Sequence, residues 1–342
     1  MNGVDASSVK EGEVNPDVAA GGERSAARSG WFMSSRFARM RPEEALFLMG
    51  FIPSSVVTIW ANYHMYVSGI VSRKIQGGIL RLLIATLLAA TIPYLERYRV
   101  RPGGSKWVHE AAEFFRTILP FLLCIAVYTN LHDTVRFVNP HDIHDKLVAI
   151  EQWIFGGQPT VWAEAYITPA RTEFFSFFYA NFYLVAPSVV IVLWFSKKRP
   201  QARETLLGII LCFYTGYLLY IIFPAAPPRF YLQSLHMFTV DLHGGYIADF
   251  QRSLLEMMPN HAARAAFPSL HAGISCVSLY YAWRHCRWFF WILLTFVIGL
   301  LLSTVYLRHH YVVDLIAGAM LLPWIMWITP RVQRWWPGAR AA

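Results

Sequence analysis

A cluster of charged and titratable residues interrupts the apolar C-terminal part of the chain. The stretch STVYLRHHYVVDLIAG (303–318) holds Arg308, His309, His310 and Asp314 between two apolar runs. Such groups are costly to bury in hydrophobic sequence, so a functional site is the default hypothesis. In a helix, His310 and Asp314 would lie one turn apart, and the carboxylate could accept the Nδ1 proton and leave the Nε2 lone pair free. This pattern is typical of a positioned nucleophile or base, although a cationic cluster at a membrane surface would have the same composition.

Two further stretches combine proline with residues able to bind or protonate an anion. FPAAPPRF (223–230) ends a long apolar run and contains Arg229, and AAFPSLHAG (265–273) opens the next run with Ser269 and His271. A Pro-rich exit is more often a rigid turn than a ligand loop. A lone histidine in such a run is more often a packed residue than a catalyst. The functional interpretation therefore depends on whether the three stretches meet.

The composition indicates an integral membrane protein. Of 342 residues, 56% are hydrophobic and only 15% are charged, whereas soluble domains are about a quarter charged. The net charge of +9 lies in short clusters between apolar runs, which indicates membrane topology and not nucleic-acid binding. The four cysteines lack metal-ligand spacing and are predicted to be reduced packing residues.

The chain is predicted to be all-α, with about eight transmembrane helices. Residues 1–40 have no apolar run and are predicted to be a disordered cytoplasmic tail, and 330–342 a basic cytoplasmic tail. Each apolar run approaches the ~20 residues needed to cross a bilayer. The predicted spans are 45–64, 77–95, 111–130, 174–195, 205–224, 267–284, 288–307 and 310–329.

Basic clusters alternate along these spans and predict that both termini are cytoplasmic. The three stretches then fall on the extracytoplasmic side, where two helices begin. Helix N-termini favour anions, and arginines add donors for phosphate oxygens. We therefore predict a phosphate site on this side that draws on Arg229, Arg308 and Arg264.

PSLHAG followed some forty residues later by HYVVD resembles two signatures of the type 2 phosphatidic acid phosphatase superfamily. The longer strings PAAPPR, FPSLHAG and TVYLRHHYVVDLIAG look most like its branch of fungal inositol-phosphorylceramide synthases and their bacterial relatives. The resemblance covers about 111–329 and implies a six-helix catalytic core, with 41–110 as two additional transmembrane helices.

The resemblance also implies a role for each motif residue. His310 would attack phosphorus and form a phosphohistidine, Asp314 would orient it, and His271 would protonate the leaving oxygen. Arg229 would bind phosphate, and Ser269 would hold phosphate oxygens. The family's chemistry mostly needs no metal, so neither a metal nor a cofactor is expected.

The sequence departs from the family pattern where positive charge is expected. Thr304 and Ile222 stand where the family usually has an arginine and a lysine, and Leu270 replaces the glycine before His271. Arg308 is a candidate substitute for the missing arginine. A less cationic site suits a singly charged phosphodiester better than a phosphomonoester dianion, which favours headgroup transfer.

The resulting prediction is a membrane enzyme that transfers a phosphoryl or phospho-headgroup, with phosphoinositol as one candidate, from a lipid donor at the extracytoplasmic face. The acceptor is a hydroxyl-bearing lipid or polyol, or water, in which case the protein is a lipid phosphate or polyprenyl pyrophosphate phosphatase. A non-catalytic lipid carrier on the same fold and a metal-dependent hydrolase are two further hypotheses.

In the outer segment 131–172, His and Asp residues could suggest a metal, but we favour an amphipathic interfacial helix. The loop 225–266 is predicted to cover the site.

Overall fold

The computed structural model describes residues 40–69, 77–92, 94–95, 105–256 and 264–336. Residues 1–39 of the predicted disordered tail and 337–342 of the predicted basic tail lie outside the described residues.

The described chain folds into helices, with one isolated bridge between Ala225 and Ala265. In chain order the helices are α1 Pro42–Val67, α2 Gly77–Ala89, α3 Lys106–Val138, α4 His144–Phe155, α5 Pro159–Trp162, a 3₁₀ turn Ala163–Tyr166, α6 Pro169–Ala180, α7 Phe182–Phe195, α8 Arg199–Ile222, α9 Pro228–Ser234, α10 Tyr246–Glu256, α11 Leu270–His285, α12 Arg287–Tyr306, α13 Val312–Ala319 and α14 Leu321–Trp335.

The helix lengths confirm an all-α, multi-pass membrane protein but not the predicted number of spans. Among the described residues, five helical segments are long and apolar enough to cross a membrane, one of them formed by α13 and α14 together (Val312–Trp335). The number is six if the bent pair α6–α7 counts as one span. Helix α2 has 13 residues and α11 has 16. At 1.5 Å per residue, α11 is roughly 24 Å long and shorter than a ~30 Å hydrocarbon core.

The predicted span 174–195 is broken in the middle. Helices α6 and α7 meet at Asn181 with a bend of 44°. The Asn181 side-chain amide donates to the Phe177 carbonyl at 2.7 Å, while its backbone N–H bonds Phe178 in a tighter turn. The side chain thereby replaces the regular backbone bond, which explains the local end of the helix.

Helices α8 and α11 lie at the centre of the bundle. Helix α8 packs against α1, α3, α7, α11 and α14, and α11 also packs against α12 and α13. Helix α13 approaches the start of α11 closely at Gly318, where an added Cβ would lie 2.1 Å from the Ser269 carbonyl oxygen. Only glycine permits this approach, which sets the distance between the second and third motifs.

Buried ion pairs join α1 to the helices of the predicted 111–329 core, near the start of α8. Glu44 accepts hydrogen bonds from Arg116 at 2.5 and 3.0 Å, and Glu43 accepts one from Arg203 at 2.9 Å. These carboxylates are 0% and 1% exposed. Because buried charges need partners, these pairs fix α1 against α3 and α8.

Candidate active site

The predicted His310–Asp314 pair is formed at the start of α13. The Nδ1 atom of His310 lies 3.3 Å from Asp314 Oδ2, and both residues are buried. The same carboxylate oxygen accepts the Tyr311 backbone N–H at 3.0 Å, which fixes its orientation. With Nδ1–H directed at the carboxylate, Nε2 of His310 carries the lone pair.

The His310 ring is held in its neutral form. Burial, and secondarily the guanidinium of Arg229, lower the pKa of His310 to about 3. A neutral imidazole is the form that can attack an electrophile. The site therefore holds its candidate nucleophile in the reactive protonation state near neutral pH.

His271 contacts Nε2 of His310 directly. Its Nδ1 lies 2.9 Å from His310 Nε2, and Phe182 packs on its ring with centroids 4.2 Å apart. Since His310 Nε2 carries the lone pair, His271 Nδ1 is the donor in this contact. A phosphate that reacts with His310 must therefore displace this hydrogen bond.

A strained turn presents the histidines after α12. Arg308 adopts a left-handed conformation with φ of +61°, and the N–H groups of His309 and His310 both donate to the Thr304 carbonyl, at 2.8 and 3.1 Å. The Arg308 carbonyl in turn accepts the Arg229 backbone N–H at 2.9 Å. This bond brings the end of the first motif against the third.

Arg229 is the predicted phosphate ligand that lies with the histidines. Its guanidinium donates to Nδ1 of His309 and hydrogen-bonds Tyr179. The Tyr179 ring stacks on His309 with centroids 3.9 Å apart and planes 4° from parallel. The Arg229 Nε atom is buried without a hydrogen-bond partner among the described residues, so it keeps a donor for a bound anion.

The other two predicted arginines are bound to carboxylates. Arg308 donates to Glu164 at 2.7 Å and to the Val240 carbonyl, and it stacks on Phe238 with 3.9 Å from guanidinium carbon to ring centroid. Arg264 pairs with Asp142 at 2.7 Å. Arg308 and Arg264 thus fasten the 225–266 loop to the 131–172 segment, and their assignment as phosphate ligands rests on the sequence alone.

Ser269 lies at the predicted position but acts in the structure as a helix cap. It is 0% exposed, its hydroxyl accepts the Ala272 N–H at 3.4 Å, and its own N–H donates to the Asp314 carbonyl at 3.0 Å. The latter bond joins the His271 helix to the His310–Asp314 pair.

The prediction that both helix N-termini are open to an anion is wrong for α13. Glu151 of α4 already accepts the N–H of Val312 at 2.5 Å and of Val313 at 3.4 Å, and Asp314 accepts that of Tyr311. A carboxylate from a distant helix thus occupies the position that we expected for phosphate.

His309 belongs to the site although the sequence reasoning assigned it no role. Burial and the cation of Arg229 lower its pKa well below the usual range, so the ring stays neutral and accepts at Nδ1. Its inclusion in the charged cluster was the only signal in the sequence, since nothing there shows that it meets Arg229.

A small apolar cavity of about 20 Å³, with room for about one water-sized molecule, adjoins His271. Its other lining residues are all aliphatic or aromatic: Ile125, Tyr128, Phe182, Tyr183, Phe213 and Leu270. Such a lining is suited to hydrocarbon and not to a polar headgroup.

The chain belongs to the PAP2 superfamily, whose family model matches residues 145–328. This confirms the family that the motifs predicted. The match includes all three motifs and therefore His271, His309 and His310.

Three relatives are similar over parts of their length. An inositol phosphorylceramide synthase of Candida albicans is 38% identical over 117 residues, which cover 31% of this chain and 24% of that protein. The catalytic subunit of inositol phosphorylceramide synthase of Saccharomyces cerevisiae is 27% identical over 61% of this chain and 55% of its own. A phosphoinositol dihydroceramide synthase of Bacteroides thetaiotaomicron is 28% identical over 61% of this chain and 76% of its own.

The match therefore spans about a quarter and about half of the two fungal relatives. No solved structure matches the chain. Family and relatives together support the prediction of a lipid phosphotransferase or phosphatase.

Proposed function

We propose that the protein transfers a phospho-headgroup from a lipid donor to a hydroxyl-bearing lipid through a phosphohistidine on His310. The observation that carries this proposal is the continuous hydrogen-bonded chain from His271 through His310 to Asp314, beside the Arg229 guanidinium that His309 holds. A nucleophile, its orienting carboxylate, a proton donor and a phosphate ligand are the groups that in-line phosphoryl transfer needs.

In the first step, His310 Nε2 forms a bond to phosphorus and the bond from phosphorus to the donor's lipid oxygen breaks. His271 enters this step doubly protonated, gives one proton to that oxygen, which leaves as an alcohol, and becomes neutral. Asp314 stabilises the positive charge that develops on the His310 ring, and Arg229 binds the non-bridging oxygens.

In the second step, an acceptor hydroxyl attacks phosphorus while His271 takes its proton, and the bond from phosphorus to His310 breaks. His271 is thus the acid of one step and the base of the other.

The charge of the site supports a phosphodiester donor. Of the three arginines considered, Arg308 and Arg264 are neutralised by Glu164 and Asp142, while Arg229 has no carboxylate partner among the described residues. One guanidinium balances one negative charge. The named relatives suggest phosphoinositol as the headgroup and a ceramide-type acceptor.

The test is to incubate purified protein with headgroup-labelled phosphatidylinositol or phosphatidic acid, with and without ceramide. We expect a labelled sphingolipid that requires both phosphatidylinositol and ceramide, and none from the His310→Ala variant. Release of free phosphate or headgroup that is independent of ceramide would identify water as the acceptor and the protein as a phosphatase. A wild-type protein that turns over no lipid in a wide donor panel would contradict an enzymatic function and favour the lipid carrier.

A further inference from the structure

Glu151 is a buried carboxyl group outside the three motifs. It lies on α4, within the 131–172 segment, and is 0% exposed. Its Oε1 accepts the N–H groups of Val312 and Val313, while Oε2 is buried without a hydrogen-bond partner among the described residues. An unpaired buried carboxyl oxygen costs free energy, so packing alone does not explain a glutamate at position 151.

The helix that Glu151 caps is the one that bears Asp314. Helix α13 has 8 residues, and Asp314 is the third of them. This helix opens the 24-residue span Val312–Trp335, and its first N–H groups have no partners within the helix, so its first turn depends on its cap. If its first turn opened, Asp314 would leave the 3.3 Å contact with His310 Nδ1.

The two faces of α4 explain how this carboxyl group comes to be buried. Leu147 and Glu151 point into the protein, whereas Ile150, Trp153 and Ile154 are 42%, 85% and 47% exposed. Exposing large apolar side chains while burying a carboxyl group reverses the arrangement expected in water. It suits a helix whose outer face lies in a membrane interface.

We infer that Glu151 is a positioning residue that holds the first turn of α13, and thereby Asp314 and the tautomer of His310, in the reactive arrangement. This inference rests on the proposed function, since it assigns His310 as the nucleophile. Glu151 does not touch the reacting atoms and acts through Asp314.

Burial raises the pKa of Glu151 to about 7, and the nearby Asp314 carboxyl group adds to the rise. Both the charged and the neutral carboxyl group can accept an N–H at a carbonyl-type oxygen. The neutral amide of glutamine therefore reproduces the cap, whereas methionine has a similar length and no comparable acceptor. Glu151→Gln and Glu151→Met are thus a matched pair.

The first measurement is the rate of headgroup transfer for both variants, in the wild-type and Asp314→Asn backgrounds. We expect Glu151→Met to lower kcat by about tenfold to a hundredfold with little change in KM. A loss of this size is typical when one member of a hydrogen-bond network is removed. Glu151→Gln should keep kcat within about threefold. In the Asp314→Asn background, Glu151→Met should have almost no further effect on kcat, because Glu151 acts through the Asp314 carboxylate and that carboxylate is already removed. An undiminished loss in that background would overturn the inference, as would equal losses for the two variants.

The second measurement needs no catalysis and so separates a failure of this inference from a failure of the proposed function. Amide hydrogen exchange in a peptide covering 307–319 should be faster in Glu151→Met than in the wild type and unchanged in Glu151→Gln. Gln152→Ala, at an exposed position on the same helix, should leave the exchange unchanged. Wild-type exchange in Glu151→Met would show that Glu151 does not hold the turn.

Discussion

At the scale of single residues, the site depends on His310 and on the groups that fix its ring. His310→Ala is expected to abolish headgroup transfer and any acid-labile phospho-enzyme, because no other described residue of the site is both neutral and oriented by a carboxylate in this way. Asp314→Asn should leave a folded protein with a rate lower by up to about 10⁴, since the ring loses its orienting acceptor. Wild-type turnover in His310→Ala, measured with the labelled donor, would rule out the phosphohistidine.

The lowered pKa of His310 predicts how the reaction responds to pH. A histidine with a depressed pKa is neutral above that value and charges only as the pH falls through it. Because the pKa of His310 lies at about 3, kcat/KM for the donor should not fall between pH 8 and pH 5. The measurement is a pH–rate profile at fixed ionic strength. A loss of rate that titrates near pH 6.5 would mean that the ring is not held neutral as the structure indicates.

His309 is expected to act through Arg229. His309→Ala removes the acceptor that holds the guanidinium and should raise KM for the donor by about tenfold, whereas His309→Asn, which places an oxygen near the former Nδ1, should recover most of that loss. A double-mutant cycle with Arg229→Ala tests whether His309 acts through Arg229. Losses that simply add in the double variant would show that His309 and Arg229 contribute separately.

At the scale of helices, the close approach of α11 and α13 sets the distance between the two histidines. Gly318→Ala would place a Cβ 2.1 Å from the Ser269 carbonyl oxygen, a backbone atom that cannot rotate away. Forcing the helices apart should cost about 1–3 kcal/mol and lower both the Tm in detergent and the transfer rate. Ile316→Ala, at a position of the same helix that is 50% exposed, is the control. If Gly318→Ala matched this control in Tm and rate, the approach would not matter for the site.

At the scale of the whole molecule, helix α8 separates the two sides of the predicted topology. Its 24 residues span roughly 36 Å, more than the ~30 Å hydrocarbon core. A cysteine replacing His243, beyond the end of α8, should react with an impermeant thiol reagent added outside intact cells. One replacing Pro200, at its start, should not. Labelling of both cysteines from the same side would contradict the predicted topology. The protein with only its native cysteines gives the background level of labelling.

The sequence by itself determined the class of molecule and pointed to the candidate site residues. His310 and Asp314 at helical spacing predicted an imidazole oriented by a carboxylate, because that pairing depends on local spacing. The role predicted for His271 came from the resemblance of its motif to the family. Composition and apolar runs indicated an all-α membrane protein, since the bilayer restricts both. The eight spans were less determined, because a helix such as α11 can be short when neighbouring helices surround it.

Only the tertiary structure decided which charges meet. The sequence predicted Arg308 and Arg264 as phosphate ligands, yet in the structure they pair with Glu164 and Asp142. His309 meets Arg229 across 80 positions of the chain, and Glu151 meets Val312 across 161. Charged and polar groups interact over a few ångströms, so their partners depend on how the helices pack and not on their neighbours in sequence. Local patterns therefore pointed to the candidate reacting groups, and packing determined which residues contact them.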